Sequence, residues 1–123
     1  MKAGNKQLGA RLRIVLERDI AIGPGKADLL QGIKETGSIS AAGKRMGMSY
    51  KRAWLLVETM NACFKSPLVE ASRGGLARGG AVLTQTGETV LAAYRHMQAA
   101  TDKAIAADIA KLKRLLGDIS KRK

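Results

Sequence analysis

Residues 37–61 read GSISAAGKRMGMSYKRAWLLVETMN, and they set the architecture of the chain. Ser38 stands where a helix N-cap belongs, because its hydroxyl can accept a hydrogen bond from a backbone N–H of the first helical turn. Gly47 follows the last apolar position of that helix, where a residue in the left-handed conformation commonly ends it. Ser49 then provides a second N-cap. The stretch is therefore predicted to form two short helices joined by a tight turn.

Each of these helices carries one apolar face. The apolar positions are Ile39, Ala42, Gly43 and Met46 in the first helix and Ala53, Trp54, Val57 and Met60 in the second. Met48, inside the turn, would fill the angle between the helices, and the small residues at 42–43 let them cross closely. Residues 38–61 thus have the pattern of a helix-turn-helix, whose second helix enters the DNA major groove N-terminus first. A plain helical hairpin is the alternative for this stretch taken alone.

The chain is strongly basic, since 22 Lys and Arg against 10 Asp and Glu give a formal net charge of +12. Such an imbalance destabilises a compact protein by self-repulsion unless a polyanion is its partner. Nucleic acid is the first candidate and an anionic membrane the second, but no apolar run approaches the roughly 20 residues of a membrane span. One Trp, two Tyr and one Phe are few for a protein that stacks single-stranded bases. Double-stranded DNA is therefore the expected partner.

At 123 residues, the chain is expected to form a single domain over residues 1–123. Cys63 is the only cysteine, which excludes an intrachain disulfide and fits a reducing compartment. The basic N-terminus lacks the apolar segment of a signal peptide. We expect a cytoplasmic, nucleoid-associated protein.

The segment before the helix-turn-helix is predicted to contain one strand and one helix. Leu12, Ile14 and Leu16 alternate with polar residues, which is typical of a strand, and the strand is expected to continue through the apolar residues 20–22. The Gly-Pro-Gly sequence at 23–25 breaks the chain. A helix should then run from about residue 26 to residue 35, which places three helices in succession before residue 61.

The segment after the helix-turn-helix is predicted to be a β-hairpin over residues 68–83. Its glycine-rich tip carries Arg73 and Arg78. A helix-turn-helix followed by such a hairpin is a winged helix, whose wing places arginines against phosphates or the minor groove. A phosphate-binding P-loop is disfavoured, because the residues after Gly80 are Ala-Val-Leu rather than the Lys-Ser/Thr that opens a helix. A loop without contacts is the remaining alternative.

Thr84 is predicted to cap a long amphipathic helix over residues 85–116. Its apolar stripe is too long for so small a domain to bury, so we expect the excess to pack on a second copy as an antiparallel or coiled-coil-like dimer contact. The residues assigned to that contact are Val90, Tyr94, Met97, Ile105, Ile109, Leu112 and Leu116. The alternative is a helix that folds back near Asp102 or Asp108. The predicted fold is mainly α with a small β wing.

Catalysis and metal binding have little support in the sequence. His96 is the only histidine, and with Cys63 far away no zinc site can be assembled from the usual ligands. The acids show no paired spacing typical of general acid–base catalysis. We expect no catalytic residues, no metal, no cofactor and no enzyme activity.

The DNA contacts are predicted at the two helix starts, on the exposed helix faces and in the wing. They are Ser38, Ser40, Lys44, Arg45, Ser49, Tyr50, Lys51, Arg52, Arg73 and Arg78. Arg52 is the first candidate for a bidentate guanine contact, worth about 1–3 kcal/mol of discrimination. Two alternatives stay open: an architectural protein that coats DNA without reading sequence, and a winged helix that binds an acidic protein.

Several segments resemble the N-terminal DNA-binding domain of ModE-type molybdate-responsive regulators. The matching residues are 37–40, 48–51, 53–54, 58–61, 68–70, 74–75 and 79–84, with Gly87 after them. The resemblance spans roughly residues 12–110, and a weaker similarity links 37–49 to the LysR-type helix-turn-helix. It implies a bacterial transcription regulator that binds DNA as a homodimer through a winged helix, and suggests a link to molybdate or metal transport genes.

In the ModE family, a following domain captures molybdate. The resemblance reaches no such domain before Lys123. We therefore expect either that molybdate is not sensed or that the response comes through an effector-binding partner chain.

Overall fold

The computed structural model of the chain describes residues 9–72 and 80–117. In chain order the elements are β1 (Ile14–Glu17), β2 (Ile20–Ile22), α1 (Pro24–Thr36), α2 (Ile39–Arg45), α3 (Tyr50–Cys63), β3 (Val69–Ala71), β4 (Ala81–Leu83) and α4 (Gln85–Arg114). The predicted class, mainly α with a small β wing, is confirmed. Within the described ranges, no helix has the length and apolarity needed to cross a membrane.

The N-terminal segment is a hairpin, so the prediction of one continuous strand is wrong. Strands β1 and β2 pair antiparallel, with Ile14 opposite Ile22 and an irregularity between Val15 and Glu17. The chain reverses at Asp19, which has φ 65°. Aspartate tolerates this left-handed conformation better than most residues. The charged run at 17–19, which interrupts the apolar residues, is the sequence signal for this turn.

Helix α1 begins two residues earlier than predicted. Pro24 occupies its first turn, where the fixed φ of proline suits a helix and the missing N–H costs nothing. Gly37 ends the helix with φ 73°, and its N–H donates to the carbonyl of Ile33 at 2.8 Å. The Gly-Pro-Gly sequence therefore starts the helix as well as ending the strand before it.

The predicted caps of the helix-turn-helix are confirmed. The hydroxyl of Ser38 accepts a hydrogen bond from the N–H of Ala41 at 3.0 Å, and that of Ser49 accepts from the N–H of Arg52 at 3.1 Å. Gly47 turns the chain with φ 73°. These contacts join residues at most three positions apart, so the local sequence dictates them.

Small residues let the first three helices pack closely. A Cβ added at Gly32 would lie 2.9 Å from the Cβ of Ala42, and one added at Gly43 would lie 2.8 Å from the Cβ of Ala53. These glycines therefore set the distances between α1 and α2 and between α2 and α3. The largest fully buried side chains of the core are Leu29, Leu30, Ile33, Ile39, Val57, Leu68 and Tyr94.

The wing is attached to the helix-turn-helix at its base. Strands β3 and β4 pair antiparallel, with Glu70 opposite Val82. The N–H of Ala81 donates to the carbonyl of Gly37 at 2.9 Å, directly before the cap of α2. The predicted tip arginines, Arg73 and Arg78, lie outside the described residues.

Helix α4 is continuous over 30 residues, about 45 Å at 1.5 Å per residue, so it does not fold back near Asp102 or Asp108. It ends at Arg114, slightly before the predicted residue 116. The hydroxyl of Thr84 accepts from the N–H of Gly87 at 2.9 Å, which confirms the predicted cap.

Two ion pairs join α1 to α4. Lys34 and Glu88 lie 2.8 Å apart, and Arg95 and Asp28 lie 3.0 Å apart. All four side chains are partly exposed to solvent, so each pair contributes modestly to stability. Their effect is to favour one orientation of α4 against the helical core.

Candidate nucleic-acid interface

Helix α3 has one buried and one solvent-facing side. Ala53, Val57 and Met60 are buried against the domain. The opposite side is exposed, and we call it the outer face of α3. It consists of Lys51, Arg52, Leu55, Glu58, Thr59 and Ala62. A helix held only along one side, with its N-terminal turn uncovered, has the geometry needed to enter a groove.

The predicted contact residues within the described ranges lie at the surface. Lys44, Arg45, Ser49, Tyr50, Lys51 and Arg52 are exposed, whereas Ser38 and Ser40 are half-buried. The hydroxyls of both Ser38 and Ser49 already accept a bond from their own helix. Each can still donate its proton to a phosphate oxygen, since a hydroxyl is donor and acceptor together.

Arg45 is engaged in an ion pair with α1. Its Nη1 lies 2.6 Å from Oε1 of Glu35, and both side chains are about half exposed. The Arg45 hydrogen bond, with a second from Gln31, holds the pKa of Glu35 below its ordinary value of 4.5. A DNA phosphate at Arg45 would therefore compete with a carboxylate of the protein itself.

Tyr50 is held against Trp54 one turn later. The two rings meet edge to face, with centroids 6.4 Å apart and planes at 87°. The indole Nε1–H of Trp54 donates to the Tyr50 hydroxyl oxygen. Trp54, predicted on the apolar face of the helix, is half-buried and packs against the core, and it positions Tyr50 at the start of α3.

Arg52 opens onto a cleft of about 420 Å³ between α3 and the start of α1. Arg13 and Lys26 line the same cleft, together with the apolar side chains of Met48 and Leu56. The Nζ of Lys26 donates to the carbonyl of Ala21 at 3.0 Å, which keeps this amine at the cleft wall. We call this the cationic cleft.

Arg13 and Lys26 line this cleft beside Arg52 but were not among the predicted contact residues. Arg13 directly precedes β1 and Lys26 lies in the first turn of α1, and both are far from Arg52 in the chain. Their only sequence signal is a pair of cations on either side of the apolar segment 20–22. Only the packing of the hairpin and α1 beside α3 brings the three cations to one concave surface.

The predicted dimer contact needs one clear correction. Tyr94 has no exposed surface, its hydroxyl donates to the carbonyl of Leu12 at 2.6 Å, and its burial raises the pKa of the phenol above 10.0. It belongs to the core of the protomer, and its assignment to a dimer contact is wrong. The helical periodicity correctly places Tyr94 on the apolar face of α4. Periodicity alone does not show whether the same chain or a second copy buries that face.

The other stripe residues divide between the core and the surface. Val90 and Met97 are half-buried and pack against the core of the same chain. Farther along, Ile105 and Ile109 are half-buried, while Leu112 and Leu116 are 62% and 56% exposed. The residues Ile105, Ile109, Leu112 and Leu116 form what we call the distal α4 stripe.

Metal ligands do not gather in the part of the chain that the structure describes. No group of three or more His, Cys, Asp or Glu side chains there is arranged to hold an ion. His96 is exposed on α4, and Cys63 is a half-buried free thiol at the end of α3. The arrangement of the described surface is thus one of cations and hydroxyls around a protruding helix.

Comparisons with known proteins relate this domain to the ModE and Mop proteins. No family model matches the chain. The molybdenum-pterin-binding protein MopB of Rhodobacter capsulatus is 48% identical over 91 residues, which cover 73% of this chain and 34% of that protein. The transcriptional regulator ModE of Yersinia pestis is 40% identical over 83 residues, covering 68% of this chain and 32% of that protein. The chain spans about a third of the length of these relatives.

A solved structure has the same fold. The DNA-binding domain of CbnR, crystallised with DNA, superposes with a TM-score of 0.57 at 20% identity, covering 72% of this chain and 95% of that one. This similarity establishes the winged-helix architecture, and the sequence relatives establish the lineage. The chain is therefore a ModE-like winged helix-turn-helix domain, homologous to the N-terminal part of the ModE and Mop proteins.

Proposed function

We propose that this protein is a transcription regulator that binds duplex DNA as a homodimer and reads it with α3 and the wing. The observation that carries the proposal is the outer face of α3, which stands free of the domain and begins with Lys51 and Arg52 at an N-terminus capped by Ser49. The fold and the ModE relatives support the same conclusion. Such a regulator would act in the cytoplasm, at the nucleoid.

The contacts divide into those that position the protein and those that read bases. Ser38, Ser49 and Lys44 bind phosphates, because hydroxyls and amines at helix starts are suited to oxyanions. Lys51 and Arg52 reach base edges or the adjacent backbone, with Arg52 the first candidate for guanine. The wing adds Arg73 and Arg78 from the residues beyond the described part of the hairpin.

The two copies join through the distal α4 stripe. Leu112 and Leu116 expose apolar surface that the protomer does not cover. An antiparallel arrangement brings Asp102 and Asp108 of one copy towards Lys111 and Lys113 of the other, so that opposite charges attract. A parallel arrangement places the basic C-terminal ends of the two helices side by side, where they repel each other. Each copy then places its α3 in a major groove, with half-sites one or two helical turns apart.

The regulated genes are expected to concern molybdenum or metal transport, by analogy with the relatives. One of them is the molybdenum transport protein ModE of Azotobacter vinelandii, 38% identical over 88 residues. The matched region is about a third of that protein.

A selection from a random duplex pool at near-physiological salt tests this function. We expect an enriched, roughly palindromic motif with a fixed half-site spacing. Tight and salt-sensitive binding without enrichment would instead mean an architectural protein, because specificity is the ratio of specific to non-specific affinity. Absence of binding would mean that the winged helix serves a protein partner.

A further inference from the structure

We propose that Leu55 is a specificity-determining residue that contacts the C5-methyl group of one thymine in each half-site. This inference rests on the proposed function, because it needs α3 to lie in the major groove. Leu55 would be an apolar base contact on the outer face of α3, where the contacts predicted so far are all polar or charged.

Leu55 occupies the centre of the outer face of α3. With about 3.6 residues per turn, it lies roughly 160° around the helix axis from Val57, which is 2% exposed at the middle of the buried side. Lys51 lies one turn before it and Thr59 one turn after it. A helix that enters a groove with its outer face presents this position to the base pairs.

The domain itself makes little use of this leucine. Its side chain is 57% exposed, although its neighbours Ala53 and Val57 are buried. A single exposed apolar residue is ordinary on a protein surface. Here, however, its nearest neighbours on the outer face are charged or hydroxyl side chains, and it lies on the side of α3 opposite the buried residues.

The residues around Leu55 direct it towards bases rather than phosphates. Glu58 is exposed on one side of it, and a carboxylate repels the DNA backbone. Arg52 lies on the other side and opens onto the cationic cleft, where a phosphate is attracted. The Oγ1–H of Thr59 donates to the Leu55 carbonyl at 2.9 Å, so it does not donate to a base at this point.

Thymine is the base edge that an aliphatic side chain suits. In the major groove, A, G and C present hydrogen-bond donors and acceptors, and thymine adds the C5-methyl group. A leucine placed against another edge would remove water from polar groups without replacing their hydrogen bonds, which is unfavourable. Leu55 therefore favours thymine over cytosine at the position that it covers.

The test uses the full chain and the duplex enriched from the random pool. Each thymine is replaced in turn by 2′-deoxyuridine, which removes only the C5-methyl group and keeps base pairing. At one position per half-site we expect the affinity of the wild-type protein to fall about fourfold, the effect of losing one buried methyl contact. In Leu55→Ala this uridine penalty should disappear, and in Leu55→Met it should persist.

Leu16→Ala is the matched control, since Leu16 is 52% exposed on the N-terminal hairpin and the same atoms are removed. It should retain the full uridine penalty. A penalty of equal size in Leu55→Ala and wild type, or no sensitive thymine, overturns the assignment of Leu55 while the enriched motif still supports the proposed function. A pool that yields no enriched motif overturns both.

Discussion

Asn61 accepts a hydrogen bond from the backbone N–H of Leu68 at 2.8 Å and so ties the end of α3 to the base of the wing. The same oxygen accepts from the N–H of Val69 at 3.1 Å, and the amide of Asn61 donates to the Val69 carbonyl at 3.0 Å. One side chain thus substitutes for the backbone pairing that the first wing residues would otherwise lack. The wing base is fixed relative to α3 by this amide.

Replacing Asn61 by alanine should lower the free energy of unfolding by about 1–3 kcal/mol, because partly buried backbone groups lose their partners. Chemical denaturation measures this directly. Asn61→Asp is the matched comparison, since its carboxylate still accepts from Leu68 and Val69 but cannot donate to the Val69 carbonyl. An alanine variant as stable as the wild type would show that these bonds add nothing.

Gly43→Ala should destabilise the fold by about 1–3 kcal/mol through overpacking. The new Cβ would meet the Cβ of Ala53 at 2.8 Å, and neither atom can move without shifting a helix. Gly25→Ala is the control, because nothing lies within 4 Å of its added Cβ and the residue is helical. That variant should gain up to about 1 kcal/mol from helix propensity. Equal effects from both substitutions would contradict the role of close packing.

The pKa of Glu35 should rise towards 4.5 when Arg45 is replaced by glutamine, because Arg45 is the main cause of its lowering. NMR titration of the carboxyl carbon measures this. A lowered pKa in the folded state stabilises the fold at pH values above the unfolded pKa, and that contribution is lost as pH falls through the lowered pKa.

Glu35→Gln should also strengthen binding to DNA, since it removes a carboxylate that competes with phosphate for Arg45. Weaker binding by this variant would count against a phosphate contact at Arg45.

The cationic cleft should contribute to DNA binding through phosphates. Lys26→Gln and Arg13→Gln are each expected to reduce the slope of log affinity against log salt by about 0.9, the value for one phosphate contact. Lys103→Gln provides a control of equal charge change, because Lys103 is exposed on α4 away from the cleft. If all three variants shift the slope equally, net charge alone explains the effect.

Disrupting the distal α4 stripe should separate the proposed dimer. Leu112→Glu places a charge on a side chain that is 62% exposed in the single chain, so the fold itself should be retained. Sedimentation equilibrium is expected to show a monomer for this variant. Ala107→Glu introduces the same charge on the opposite side of the same helix and should remain dimeric. A wild-type protein that is monomeric at all concentrations and on DNA would exclude the contact.

Much of the fold could be predicted because its signals are local. The caps at Ser38, Ser49 and Thr84 are confirmed, and each uses a hydrogen bond that spans three residues. The reversal at Asp19 escaped prediction because the apolar segment 20–22 predicts a continuation of the strand across the charged run at 17–19. Local pattern was sufficient for these three caps because each stabilising contact lies within one helical turn.

The remaining errors concern contacts between distant parts of the chain. Tyr94 is buried in the core, where its hydroxyl donates a hydrogen bond to the carbonyl of Leu12, 82 positions earlier. The cationic cleft and the Asn61 bridge arise in the same way, from elements that meet only in three dimensions. The residues of the candidate site on α3 were identified from the sequence, and their roles in binding DNA stay predictions.

The buried residues of α4 are Gly87, Leu91 and Tyr94, all within its first ten positions. A further 20 residues continue to Arg114, which corresponds to about 30 Å of helix. If two copies join at that far end, the length of α4 sets the distance between the two copies of α3. Operator spacing would then be encoded in helix length, so inserting or deleting one turn in α4 would select for a different spacing rather than a different sequence.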